Sequence, residues 1–358
     1  MRQHGWGAGA IKGLTILELT DPRWREFVTS YPEATPFHHP DWAGLVARCY
    51  RFRAFAVAIS DDTGTIRAGL PMVEVRHLGG KPKWVSLPFT DHCPPLVPAP
   101  QEEAHLADAL RRAGAAIGIR RVEVRAPIAG APAAGPPALR HVLALDADPA
   151  AVYAGFHRSQ VQRSIRRAER ENLTIRQAGR ESDVAGTFYR LHLRTRRRQG
   201  VPVQPRRFFR QLWDGVIRRG LGSVLIAEAA GRPVAAAVFL TWNGTVIYKF
   251  GASDASAWRL RPNHLLFWHA IRTACEQGYQ WFDFGRTDAG QQGLRDFKRS
   301  WGAAEEPLVY AVLGSGRTQE KHRAPGDRMA ATALESAIQH GPLALCRAAG
   351  EMLYRYTA

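Results

Sequence analysis

Cysteine is scarce in this 358-residue chain: only Cys49, Cys93, Cys275 and Cys346, widely spaced and without a CxxC pair. That pattern excludes a disulfide scaffold and lends no support to a zinc site or a redox dithiol. It fits reduced and mostly buried thiols. Apolar runs of membrane-span length are missing too, because Arg, Asp or Glu interrupts each candidate. Residues 1–19 (MRQHGWGAGAIKGLTILEL) hold no apolar core of signal-peptide length. A cytoplasmic protein is therefore expected, with peripheral contact at the inner face of the membrane left open. The pairs His38-His39 and His92-Cys93 lack metal-ligand spacing, and no serine or cysteine nucleophile elbow is present. No metal site is expected.

What is present is an ordinary globular composition with an unusual charge. The apolar share is 45% and the charged share 23%, enough to bury a real core. Two domains are the natural expectation at this length. The net charge is +17, and between Ala151 and Gly220 there are 17 Arg against 5 acidic residues, so +12 lies in one fifth of the chain. Such a concentration attracts polyanions: RNA, nucleotide phosphates or an anionic lipid surface. A solvated arginine-rich surface is the equal alternative.

The first 140 residues alternate short helices and strands. Asp41–Tyr50 and Glu102–Gly118 read as helices; 52–59, 66–75, 84–89 and 121–125 read as strands. Residues 126–137 (APIAGAPAAGPP) read as a loop or linker and mark a domain boundary near 140. In the second half, Phe156–Asn172 is a helix with Val161, Ile165 and Ala168 on one face and Arg163, Arg166, Arg167 and Arg170 largely on the other. Helices over 182–199 and 205–219 follow, then strands over 223–229, 233–242 and 245–250, the last two joined by Asn243-Gly244. A helix from Pro262 ends before Gly278, with proline at its start and glycine past its end. A strand (281–284), a helix (293–301) and a strand (308–313) complete the run. Residues 316–358 read as a charged linker, over 320–328, and an amphipathic C-terminal helix.

Periodicity supports an α/β fold with an antiparallel-rich sheet. Three strings add more: Asn263 to Ile271 (NHLLFWHAI) with Ala274 to Tyr279 (ACEQGY), Phe282 to Arg286 (FDFGR), and Gly293 to Gly302 (GLRDFKRSWG). With the basic helix Arg163–Asn172, they resemble the C-terminal GNAT domain of FemAB-like proteins, a group of peptidoglycan-bridge aminoacyltransferases and exopolysaccharide-associated relatives. Residues 36–42 (PFHHPDW) and 86–91 (SLPFTD) are similar to strings in that group's first, degenerate GNAT domain. The resemblance spans roughly residues 30 to 315. It implies an α/β (α+β) fold of tandem GNAT-like domains, 1–140 and 141–315, each a mixed, largely antiparallel sheet flanked by helices. It also implies an acyltransferase acting in cell-wall, peptidoglycan or exopolysaccharide biogenesis. No permanently bound cofactor is implied; the acyl donor is aminoacyl-tRNA or acyl-CoA, and the acceptor a small molecule or lipid-linked glycan.

N-acylation of an activated ester or thioester is mainly a matter of positioning and electrostatics. Lys298 matches a Phe-Lys pair associated with the acyl-donor end of the site in peptidoglycan members, which places Phe297 there as well. Arg286 and Asp283 sit at the carboxyl end of a buried strand, where open α/β sheets place ligands. Arg286 can grip a phosphate or carboxylate, and Asp283 can orient the amine or accept its proton. An Asp on such a strand can equally pair with an Arg or cap the next turn. Arg261 and Asn263 precede and open a helix whose first N–H groups are unpaired. Where acetyl-CoA-using relatives carry a glycine-rich pyrophosphate loop, residues 259–264 (RLRPNH) contain no glycine, which leans toward an aminoacyl-tRNA donor. Tyr248 and Lys249 line the same cleft or, for Tyr248, the core. The resemblance puts the Asp91 loop near the acceptor.

Two function classes result. One is an N-acyltransferase that modifies an amine of a cell-envelope or exopolysaccharide precursor. The other is a non-catalytic RNA- or anionic-membrane-binding protein that uses the Arg-rich segment 158–219. Phe188, Tyr189, Phe208, Phe209 and Trp213 in that segment fall at core-like helical spacing, which favours the enzyme. The two coexist if the donor is a charged tRNA. Oligomeric state is left open.

Overall fold

The computed structural model describes residues 9–11, 13–76, 80–314 and 325–357. The described chain divides into two units, 9–137 with 308–314 and 138–307 with 325–357. Both are mixed α/β, with mostly antiparallel sheets flanked by helices.

In the first unit the strands are β1 (Gly9–Ile11), β2 (Leu14–Leu17), β3 (Arg53–Ser60), β4 (Ile66–Val75), β5 (Lys83–Val85) and β6 (Val122–Val124). β1 through β5 pair antiparallel in chain order, and β5 pairs parallel with β6. Helices α1 (Pro22–Ser30), α2 (Pro40–Tyr50) and α3 (Pro100–Ala116) each begin with a proline, whose fixed φ and missing N–H suit a first turn. They bury Trp24, Trp42, Leu106 and Leu110. The last strand, β13 (Ala304–Leu313), brings Ala311, Val312 and Leu313 antiparallel onto β6, so the chain returns to its first unit before the tail rejoins the second.

The second unit opens on β7 (Ala133–Ala144), which begins inside the segment expected to be a loop. Helix α4 (Pro149–Ala154) follows. The helix expected over Phe156–Asn172 starts as a π-helical turn, Arg158–Gln162, before α5 (Arg163–Arg170). Val161, Ile165 and Ala168 are buried and the four arginines of α5 are exposed, as the pattern predicts. Then come β8 (Thr174–Gln177), α6 (Tyr189–Arg198), α7 (Arg206–Gly215), β9 (Gly222–Ala229), β10 (Arg232–Trp242), β11 (Thr245–Ser253), α8 (Pro262–Glu276), β12 (Trp281–Asp288) and α9 (Gln292–Arg299). The order across the sheet is β7-β12-β11-β10-β9-β8, antiparallel except for β11 with β12. Each unit's sheet thus has one parallel pair followed by one antiparallel strand.

The tail is more helical than expected. Of the linker over 320–328, residues 320–324 lie outside the described ones, and Pro325 opens α10 (Pro325–His340). Helix α11 (Leu343–Leu353) lies against the second unit through Cys346, Ala349 and Gly350. Gln204 donates to Tyr354 Oη at 2.6 Å, and Arg207 pairs with Glu351 at 3.1 Å. No helix among the described residues is long and apolar enough to cross a membrane.

Two predictions follow from this packing. A Cβ at Gly350 would collide with the carbonyl oxygen of Val203, so Gly350→Ala should destabilise the chain by about 1–3 kcal/mol. An unchanged thermal midpoint would refute this docking of α11. The second concerns His38 and His192, which are buried and hydrogen-bonded to Pro94 O and Gln204 Oε1 at 2.8 Å each. Burial pushes both pKa values down to about 4, against 6.5 in an unfolded chain. Between those values the unfolded chain binds more protons, so this stability is complete above pH 6.5 and is lost as pH falls toward 4. Urea midpoints should therefore decline from pH 7 to pH 4.5; a flat profile would contradict neutral buried imidazoles.

Candidate active site

The site grows out of an interrupted strand pairing. β11 and β12 run parallel and pair only at Thr245–Trp281, Val246–Phe282 and Ile247–Asp283. Immediately beyond, both strands become irregular. Against β10, Tyr248 faces Phe239 and Phe250 faces Val238, so Lys249 is the extra residue of a bulge. β12 slips its register with β7 between Asp283 and Arg286, and Gly285 takes φ 71°, a left-handed value that suits glycine. Bulges bend a strand and interrupt its ladder. The ladder between the two strands ends here (the fork), at their carboxyl ends, where open α/β sheets bind ligands.

Side chains hold the kink in β12. Asp283 Oδ1 accepts the Gly285 N–H at 2.7 Å, and its other oxygen lies 3.8 Å from Arg140. Asp283 therefore does what a strand aspartate commonly does: it caps a turn and faces an arginine. Lys298, on α9, is only 3% exposed. Its ammonium donates to the carbonyls of Gly285 at 2.8 Å and Arg286 at 3.1 Å. A buried ammonium is tolerable only when its protons are so used. Lys298, Asp283 and Arg286 are thus brought together around one peptide. The half-buried guanidinium of Arg286 pairs with Asp288 at 2.6 Å.

Behind the kink lies a charged network that the sequence reading did not anticipate. His141, on β7, is 0% exposed and its Nε2 is 3.0 Å from Glu305. Arg295 grips the two oxygens of Glu305 at 2.9 and 3.0 Å, which holds the Glu305 pKa down to about 2. Burial, reinforced by the charge of Lys298, lowers the His141 pKa. Its Nδ1 is buried with no hydrogen-bond partner. Arg140 on the same strand pairs with Glu306. Arg295 stands three residues before Lys298 in a quoted string, but nothing in the sequence connects it to Glu305.

The inner wall of the fork is aromatic. Phe267 of α8 stacks edge-on against Tyr248 at 4.7 Å and packs on Phe284, Trp301 and Phe297 at 5.3 to 5.9 Å. Burial pushes the Tyr248 hydroxyl up to about 12, and a Cβ at Gly251 would collide with it. His264, in the first turn of α8, lies between Phe297 at 5.5 Å and Trp301 at 5.9 Å. Burial pushes its pKa down to about 4, so the ring is neutral near pH 7. His264, Phe267 and Trp301 all fall inside the quoted strings, and helical spacing from Asn263 could have found the first two. Trp301 Nε1 is buried without a partner.

The remaining predicted residues are more spread out. Lys249 lies 5.7 Å from the Phe250 ring. Arg261 is exposed and left-handed at φ 61°, the residue before α8, and Asn263 is half-buried in the first turn. Between them and β11 is a short 3₁₀ turn, Ala255–Leu260, in place of a glycine loop. Asp91 belongs to the first unit, where its carbonyl accepts a hydrogen bond from Tyr310 Oη at 2.9 Å. Among the described residues no group of His, Cys, Asp or Glu is placed to hold a metal ion.

Residues 155–299 match the family model described as an acetyltransferase (GNAT) domain. No curated protein sequence matches the chain. Among solved structures, FemX is similar in fold at 13% identity and a TM-score of 0.68, covering 89% of this chain and 99% of its own. L-PGS from Bacillus licheniformis is similar at 13% identity and TM-score 0.54, covering 91% and 98%. A conserved protein of unknown function from Bacteroides thetaiotaomicron VPI-5482 is similar at 11% and 0.56, covering 83% and 97%. At these identities the structures speak for the fold alone. Residues 155–299 match an acetyltransferase (GNAT) domain, which supports an acyltransferase, and the fold of the chain is similar to that of FemX.

Proposed function

We propose that the chain transfers an aminoacyl or acyl group to an amine of a cell-envelope precursor, with the carbonyl of the donor lying in the fork between β11 and β12. The observation that carries this reading is the buried ammonium of Lys298, fixed at the kink where the fork opens. In the reaction the amine nitrogen bonds to the donor carbonyl carbon and the carbon–oxygen or carbon–sulfur bond to the carrier breaks. The amine proton passes to the leaving oxygen or sulfur. Negative charge builds on the carbonyl oxygen and then on the leaving atom, and a preoriented cation at that position lowers the barrier. Asp283, engaged by Gly285 N–H and facing Arg140, acts by shaping the kink. Phe297 and Tyr248 line the apolar side, Lys249 stands at the bulge, and Arg286 binds a phosphate or carboxylate of a substrate. The acceptor is a small molecule or a lipid-linked glycan, and the Asp91 loop is assigned to it.

An aminoacyl-tRNA donor suits the approach to α8 better than acyl-CoA does. The turn before it offers Arg259 and Arg261 in place of glycines, giving charge for a phosphodiester backbone without a tight pyrophosphate loop. The exposed arginines of α5 favour a polyanion as well, so the binding of RNA or an anionic surface by segment 158–219 stands as a second reading, compatible with the first.

Purified protein should be offered a mixed aminoacyl-tRNA pool, or acetyl-CoA, with a lipid-linked muropeptide as acceptor. Transfer is expected with one donor class, and Lys298→Met should lower kcat roughly 10²-fold at similar donor KM. Full activity in that variant removes Lys298 from the mechanism. Salt-sensitive RNA binding without transfer from either donor favours the second reading.

A further inference from the structure

His264 is an imidazole set into a wall of aromatic side chains. It lies in the first turn of α8, three residues before Phe267, so the two share a helix face. Phe267 packs on Tyr248 and Phe284, one on each side of the fork. The His264 ring stacks on Trp301 at 5.9 Å and meets Phe297 edge-on at 5.5 Å. Phenylalanine would fill that place without polar atoms. Imidazole brings two ring nitrogens, and among the described residues neither has a hydrogen-bond partner. A half-buried polar ring left in that condition costs stability. Its neighbours at the fork are differently placed. Lys298 donates to the carbonyls of Gly285 and Arg286, Asp283 accepts from Gly285, and His141 meets Glu305. His264 has its hydrogen bonds left for a bound molecule.

Its position selects the part of that molecule it meets. Helical side chains lean toward the N-terminus, which sets the ring between Phe267 and the basic turn before α8, with its exposed Arg259 and Arg261. With the acyl carbonyl at the fork and the phosphates of the carrier at that turn, the ester or thioester link between them falls beside His264. Burial, and the charge of Arg261 beside it, pushes the His264 pKa down to about 4. Near pH 7 the ring is therefore neutral, with a proton on one nitrogen. A neutral N–H strengthens its hydrogen bond as the acceptor turns negative. We propose that His264 touches the acyl donor and donates this N–H to the leaving oxygen or sulfur while the bond from that atom to the acyl carbon breaks. The electron pair of that bond goes to the leaving atom, which then takes the amine proton. His264 is neutral before and after. This rests on the transfer reaction proposed above.

The full chain and two variants should be compared with a mixed aminoacyl-tRNA pool, or acetyl-CoA, as donor and a lipid-linked muropeptide as acceptor. His264→Phe is expected to lower kcat roughly 10²-fold while donor KM changes less than about twofold. Its thermal midpoint should equal or exceed that of the parent, because an unpartnered polar ring gives way to one that suits the wall. His264→Asn keeps an N–H and should recover about tenfold in kcat over the Phe variant. The inference is overturned if His264→Phe keeps kcat within about threefold of an active parent. It is also overturned if both variants lose activity together with a lowered thermal midpoint, since His264 would then act by packing. A parent that transfers from neither donor refutes the transfer reaction itself, and this inference with it. A parent that transfers, with an equally active Phe variant, refutes the role of His264 alone.

Discussion

Where the ladder between β11 and β12 ends, backbone groups that a neighbouring strand would have satisfied need other partners, and the rest of the site follows from meeting that need. The carbonyls of Gly285 and Arg286 take theirs from Lys298, and the N–H of Gly285 takes its from Asp283. An ionised donor and an ionised acceptor are the strong choices for such a task. The same arrangement leaves a fixed positive charge at the fork.

Burying that charge sets conditions on its surroundings. His141 and the ion pair between Arg295 and Glu305 occupy the space behind the kink. His141 is held neutral by burial and by the cations beside it, so it adds no second positive charge to the cluster. On the other side, Phe267, Phe284, Phe297 and Trp301 make a wall without charge. Low polarizability on that side lets the field of the ammonium extend further than it would in water. His264, neutral as well, fits among these rings without disturbing it.

Much of the local structure was legible in the residues. The Asn243-Gly244 turn, the Pro262 start and Gly278 stop of α8, and the two faces of α5 were read from backbone chemistry and period, and each of those signals acts within a few residues. The π-helical turn before α5 and the strand hidden in residues 126–137 were not, because both override local preference with partners far along the chain. Trp281 to Asp283 of β12 pair with β11, while its last residues pair only with β7, so its length beyond Phe284 was set from outside. The tail shows the same effect: α10 opens where charge density suggested a linker.

For the candidate site, the sequence by itself supplied the three strings and placed Lys298, Asp283 and Arg286 within two of them. Glycine, aromatic and charged residues at short spacing are properties of the chain alone. Only the tertiary structure decided that Lys298 faces inward to the carbonyls of Gly285 and Arg286, that Asp283 is spent on the turn, and that Glu305 and His141 stand behind them. It also decided that β13 returns to the first unit. Apart from the Asp283–Gly285 turn, which is local, those outcomes depend on hydrogen bonds and strand pairs between residues 10 to more than 180 positions apart. Such pairings are fixed by which unsatisfied polar groups the folded backbone leaves to be met, and no local pattern records them.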